Sequence, residues 1–134
     1  MKKRFTLLLT LLVLCLSGCS GYSNHYKAFM FVHSNTNKKA YMTFDEFTGT
    51  YSFRLKSSKK NDMIELNYDL SLEEGSVNIY IDINGEKQLL KKVESSDKFT
   101  DTIQIKTNAK GIIYIIVETN NKSSNGSFSF NISE

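Results

Sequence analysis

The chain has 134 residues, enough for one domain with a single core, and it contains 17 Lys and Arg, 14 Asp and Glu, and neither proline nor tryptophan. Its formal charge of +3 is matched by Lys2, Lys3 and Arg4, so the rest of the chain is formally neutral. A nucleic-acid-binding protein is expected to carry a basic surplus or stripe. The composition therefore argues against a nucleic-acid partner.

The N-terminal residues have the charge and hydropathy pattern of an export signal. Three positive charges at positions 2–4 precede a mostly apolar run over residues 5–16. A bilayer-spanning helix needs about 20 apolar residues, so this run is too short to form a stable span. It has the length of the apolar core of a secretory signal peptide. We therefore predict a signal helix within residues 1–18.

The end of the apolar run carries a more specific motif. Leu16, Ser17, Gly18 and Cys19 follow one another, and this order resembles the lipobox of bacterial lipoprotein precursors. The resemblance implies that Cys19 receives a diacylglyceryl group and becomes the mature N-terminus. It also implies that Leu16, Ser17 and Gly18 are the positions that the signal peptidase recognises. The alternatives are an ordinary signal peptide with a cysteine near its cleavage site, or a buried N-terminal helix.

Lipid on Cys19 would make the protein membrane-anchored without a transmembrane helix, because two acyl chains hold a protein stably at a bilayer. Cys15 would leave with the leader, and Cys19 would be consumed by the lipid. The exported domain would then contain no thiol, which excludes thiol catalysis, disulfides and cysteine metal sites. Residues 19–25 are interpreted as a lipidated N-terminus with a short tether, and residues 26–134 as the folded domain.

The first half of the domain is predicted to consist of strands. Residues 26–33, 39–44, 49–55 and 63–68 are rich in β-branched and aromatic residues and are separated by polar segments. Residues 69–75 include Leu70 and Leu72, and they are predicted to be able to form one helical turn. No other segment of the domain shows a helical period.

The second half contains the clearest strand signals. Residues 77–83 alternate apolar and polar side chains and lead into Asn84-Gly85 and then residues 86–93, which predicts a hairpin with a two-residue type I′ turn. Residues 99–107 alternate again. Residues 111–119 are apolar almost throughout and are predicted to form a central strand with both faces buried. Residues 126–132 repeat the pattern of 49–55, so both segments are expected to line the same core.

Eight or nine strands with frequent turns predict an all-β fold, an antiparallel β-sandwich. The arrangement resembles the jelly-roll accessory domains found beside secreted bacterial enzymes. This likeness is one of pattern, and it implies no role for any particular residue.

The residues that could carry chemistry are few and scattered. His25 and His33 are the two histidines, and neither belongs to a metal or triad motif. The segment from Asp82 to Glu86 superficially resembles a calcium loop but lacks the full ligand series, so a structural turn is the favoured interpretation. No catalytic residue, metal or cofactor is predicted.

Aromatic residues leave a second question open. The chain has nine Phe and seven Tyr, and Tyr80 is predicted on an outer strand face, where a tyrosine ring could stack on a sugar. The favoured interpretation is that these residues are good strand formers that fill a core without disulfides.

Together these patterns predict a lipoprotein at the extracytoplasmic side of the cell membrane. Its domain is expected to be a monomeric, non-enzymatic binding or accessory module whose ligand is a protein or a carbohydrate. The alternative is a carbohydrate-active protein or hydrolase that uses paired carboxylates on one sheet face. Such an enzyme needs two carboxylates about 5 to 10 Å apart in one cleft.

Overall fold

The computed structural model describes residues 22–134. The predicted signal helix and the lipobox residues Leu16, Ser17, Gly18 and Cys19 lie outside the described residues. Within the described part, the chain forms eight strands: β1 (His25–Phe29), β2 (Val32–Asn35), β3 (Lys39–Lys56), β4 (Met63–Glu74), β5 (Ser76–Asp82), β6 (Lys87–Glu94), β7 (Asp97–Lys106) and β8 (Ile112–Ser133). Every strand pairing is antiparallel, so the predicted all-β class is confirmed.

The sandwich is built on one long ribbon of β3 and β8. These strands, of 18 and 22 residues, pair along most of their length, and the register shifts between Phe47 and Gly49. A register shift of this kind bends a strand pair, so the two halves of the ribbon enter two layers. Layer A contains β2, β4, β7 and the half of the ribbon that includes residues 39–47. Layer B contains β1, β5, β6 and the half that includes residues 49–56.

The inner faces of the two layers form one hydrophobic core. In β4 the side chains of every second residue from Ile64 to Leu72 are buried, as the period of a half-buried strand requires. Phe53 of layer B and Phe130 of layer A meet with ring centroids 6.3 Å apart. The prediction that residues 49–55 and 126–132 line the same core is therefore confirmed.

Several local predictions are wrong. The predicted strands 39–44 and 49–55 belong to one strand, β3, and the predicted strands 111–119 and 126–132 belong to another, β8. Residues 69–75 contain no helical turn, because Leu70 and Leu72 continue the two-residue alternation of β4. The predicted strand 26–33 is divided into β1 and β2 by a turn in which Met30 has a φ of +49°. Asn84-Gly85 lies within a longer connection, because the last pair of the hairpin is Asp82 with Lys87.

Residues 111–119 occupy the central position that their apolar run predicts. Ile113, Ile115 and Val117 point into the core, and Ile116 is fully buried although it faces the outside of layer B. The register places Ile116 between Ser52 of β3 and Tyr80 of β5. Among residues 22–134, no helix is long and apolar enough to cross a bilayer.

Candidate functional site

A groove lies at one end of layer B, where three separate parts of the chain meet. Its volume is about 580 Å³, within the range of small-molecule sites. One wall is the β5–β6 connection, another is the β7–β8 connection, and the third is Tyr22, which precedes the first strand. The lining residues are Tyr22, Asp82, Ile83, Asn84, Gly85, Asn108, Ala109, Lys110, Ile112 and Tyr114.

Asp82 organises the β5–β6 wall of the groove. This aspartate is buried, and its Oδ1 accepts a hydrogen bond of 2.7 Å from the backbone N–H of Gly85. The bond closes a side-chain-to-backbone turn of the kind that aspartate favours. The predicted type I′ turn does not form, because such a turn needs a positive φ at both central residues, and in this connection Gly85 alone has one, of +87°.

The other oxygen of Asp82 binds the tether. Tyr22 donates its hydroxyl to Asp82 Oδ2, and its ring lies edge-on to Tyr114 with centroids 5.4 Å apart and planes at 64°. Burial, followed by the hydrogen bond to Asp82 and the charge of that carboxylate, raises the pKa of Tyr22 to about 12. Tyr22 is therefore a protonated donor at neutral pH.

Asn24 fixes the next part of the tether to the same face. Its Oδ1 accepts hydrogen bonds of 2.8 Å from the Ser52 backbone N–H and 2.9 Å from the Ser52 hydroxyl. The register puts Ser52 beside Ile116, so residues 22–24 lie on the part of layer B where Ile116 is buried. This segment, which the sequence predicts to be a tether, thus contributes a wall to the groove.

Asn108 holds the opposite wall. Its Oδ1 accepts hydrogen bonds from the backbone N–H groups of Lys110, at 3.0 Å, and Gly111, at 2.9 Å. Its Nδ2 donates to the carbonyl of Ile83, which ties the β7–β8 connection to the β5–β6 connection. Side-chain hydrogen bonds within the protein therefore hold both walls in place.

The groove combines apolar rings with polar groups and holds one carboxylate. Tyr22, Tyr114 and Ile112 supply the apolar surface, while Asn84 and Lys110 supply polar groups at exposed positions. Asp82 is the one acidic residue among the lining residues, and each of its oxygens already accepts a protein hydrogen bond. This arrangement suits binding of a polar ligand with apolar faces, and it lacks the second carboxylate that glycoside hydrolysis by paired acids requires.

The residues considered from sequence fall mostly outside the groove. His25 and His33 are exposed on β1 and β2, and His33 Nδ1 lies 3.0 Å from the Tyr51 hydroxyl. Tyr80 does face outward, but the Lys87 ammonium covers its ring at 4.4 Å from the centroid. Across residues 22–134, no three His, Cys, Asp or Glu side chains form a cluster that could hold a metal ion.

Among the comparisons with known proteins, the one with solved structures finds matches. No family model matches the chain, and no curated protein matches it. A family 61 carbohydrate-binding module in complex with β-1,4-galactotriose is 13% identical, with a TM-score of 0.45 over 87% of this chain and 73% of that one. A family 35 module from Paenibacillus barcinonensis is 15% identical, with a TM-score of 0.42 over 84% of this chain and 91% of that one. These likenesses are distant.

Proposed function

We propose that this protein is a lipid-anchored, extracytoplasmic binding module without catalytic activity, and that its groove takes a carbohydrate. The groove itself carries the proposal, because it places two tyrosine rings beside amide and ammonium groups and holds a single carboxylate that is already bonded. Sugars present C–H faces to aromatic rings and hydroxyls to polar groups, so this combination fits them.

The proposed anchor rests on the lipobox-like residues and has its own test. Replacing Cys19 with Ala removes the thiol that would carry the lipid, and the variant is expected to lose the acylated N-terminus. Mass spectrometry of the protein purified from membranes of bacteria that express the full chain should find a diacylglyceryl group on Cys19 and no residues before it. An unmodified Cys19, or an intact leader, would contradict the anchor and leave the groove unaffected.

The ligand class is tested by calorimetric titration with β-1,4-linked hexasaccharides of glucose, xylose, mannose and N-acetylglucosamine. At least one is expected to bind, and Tyr114→Ala should weaken that binding about tenfold, because an aromatic contact of about 1.4 kcal/mol is lost. Tyr41→Ala is the matched control, since Tyr41 is a 41% exposed tyrosine of layer A, outside the groove.

Two outcomes would contradict the carbohydrate proposal. One is that none of the four hexasaccharides gives a heat of binding above that of buffer. The other is that Tyr41→Ala weakens binding as much as Tyr114→Ala, which would place the sugar elsewhere. If a hexasaccharide were cleaved during the titration, the hydrolase alternative would replace the binding module.

A further inference from the structure

Two basic side chains of β3 border the apolar part of the groove. In the β3–β8 register Arg54 lies opposite Tyr114, and Lys56 lies opposite Ile112. The neighbours of Arg54 in β3 and of Tyr114 in β8 are all buried in the core, so the alternation of a strand places both pairs on the outer face of layer B. Residues opposite one another on one face have Cβ atoms about 5 Å apart. Both cations therefore stand beside the apolar surface that Tyr114 and Ile112 supply.

Lys110 brings a third cation to the groove from the β7–β8 connection. It is one of the lining residues, and Asn108 holds its backbone N–H at 3.0 Å. Arg54, Lys56 and Lys110 are all exposed. Within residues 22–134 none of the three forms an ion pair, because the ion pairs found there are made by other lysines. Their charges are therefore available to a ligand.

The carboxylates at this end of the sandwich do not neutralise these cations. Asp82 is buried and accepts the two hydrogen bonds described above, and Glu134 is paired with Lys38. Asp62 accepts a hydrogen bond of 2.7 Å from the backbone N–H of the residue that follows it. Glu86 lines a separate depression and is not among the residues of the groove. The groove and its β3 side thus combine three exposed positive charges with one buried negative charge.

We infer that the groove binds an acidic carbohydrate, one whose sugars carry carboxylate or phosphate groups. A sugar ring on Tyr114 would place its anionic group beside Arg54 and Lys56. A guanidinium can bind either anion through two parallel N–H bonds, and a lysine acts on it as a point charge. The inference rests on the proposed function and deepens it, since it names the kind of sugar that the groove takes.

The test compares sugars that differ in charge alone. Three forms of the β-1,4-linked glucose hexamer, and the same three forms of the mannose hexamer, carry at C6 a hydroxyl, a carboxylate or a phosphate. Each is titrated by calorimetry, at low ionic strength, into the protein purified from membranes of bacteria that express the full chain. The acidic form that binds more tightly identifies the anion.

In at least one series an acidic form is expected to bind about tenfold more tightly than its neutral parent, because two exposed ion pairs together contribute about 1.4 kcal/mol. At about 1 M salt the Debye length falls to about 3 Å, and the preference should be largely lost.

Variants locate the charges that are responsible. Arg54→Gln and Lys56→Gln each remove one positive charge from an exposed side chain, and each should lower the ratio of acidic to neutral affinity about threefold. The double variant should bring that ratio close to one. Lys98→Gln is the matched control, because Lys98 is an exposed lysine of β7 in layer A that forms no ion pair within residues 22–134. It should leave the ratio unchanged.

Three results would overturn the inference. Equal affinity for neutral and acidic forms in both series would show that the groove does not select for charge, and the carbohydrate proposal would stand. A loss of preference in Lys98→Gln as large as that in Arg54→Gln would show that net charge, rather than this side of the groove, attracts the acidic sugar. Failure of every hexamer to bind, neutral or acidic, would overturn the inference and the carbohydrate proposal together.

Discussion

The two edges of the sandwich differ in how their side chains protect the edge strands from association. An edge strand exposes unpaired backbone groups, and charged side chains are a common means of preventing edge-to-edge association. The edge made by β6 and β7 carries five lysines and three acidic residues within Lys87–Glu94 and Asp97–Lys106. The edge made by β1 and β2 carries one lysine, two histidines and three exposed large hydrophobic side chains, Tyr26, Phe29 and Val32, within His25–Phe29 and Val32–Asn35.

The β1–β2 edge is therefore poorly protected against edge-to-edge association if it faces water. Phe29 and Met30 are more exposed than Leu89, the one large exposed hydrophobic side chain of β6. The lysines and carboxylates of β6 and β7 give that edge the charged protection that the β1–β2 edge lacks.

The largest expected effect comes from the glycine that lets β1 join the sheet. A Cβ at Gly49, where φ is +115°, would lie 2.1 Å from the carbonyl oxygen of His25 on β1. Gly49→Ala is therefore expected to lower the free energy of unfolding by about 3 kcal/mol, through backbone strain and displacement of β1. Urea unfolding of the full chain measures the loss.

Gly85→Ala is the matched control at the tip of the β5–β6 hairpin. Gly85 has a φ of +87°, but a Cβ added there would have no atom within 4 Å outside its chain neighbours. The substitution should cost about 1 kcal/mol, the penalty of a left-handed conformation alone. Equal losses for the two variants would show that β1 does not press against Gly49.

The smallest effect concerns Tyr22, which precedes β1 and contacts Asp82 of β5. The pKa of Tyr22 is raised from 10.0 to about 12, so the folded state retains this proton. Its contribution to stability is then complete below about pH 10 and is lost as the pH rises through 12. Comparing the tyrosinate absorbance of wild type and Tyr22→Phe should locate the missing ionisation near pH 12.

Asp82→Asn tests the part of that pKa shift that comes from Asp82, since burial of the Tyr22 side chain is the larger cause. Asparagine keeps the shape of the side chain and removes its charge, so the Tyr22 ionisation should move from 12 toward 10. If the ionisation missing from Tyr22→Phe lay at pH 10 already, the contact between the tether and Asp82 would not exist in solution.

Much of the fold could be predicted because alternation is a direct signature of one-sided burial. The alternation of buried and more exposed side chains is uninterrupted from Ile64 to Leu72 in β4 and from Val77 to Ile81 in β5. The continuity of β3 and β8 could not be predicted in this way. Their polar stretches around Asp45 and Asn121 look like turns, but they lie where the ribbon bends at the rim of the sandwich and polar side chains reach water.

The groove was beyond prediction for a different reason. Asn84 and Asn108 are 24 positions apart, and Tyr22 is 60 positions before Asp82, so no local spacing links them. The pairing of β5 with β8 is what brings these segments together. A tyrosine in an otherwise small and polar tether was the available signal, and it indicates a contact with the domain.

Tyr22 also determines which contacts a pull on the N-terminal end of the described chain would load first. Its hydroxyl bond to Asp82 and its ring contact with Tyr114 lie between that end and β1, which begins at His25. A force applied before Tyr22 would therefore break side-chain contacts on the outer face of layer B before it separated β1 from β3.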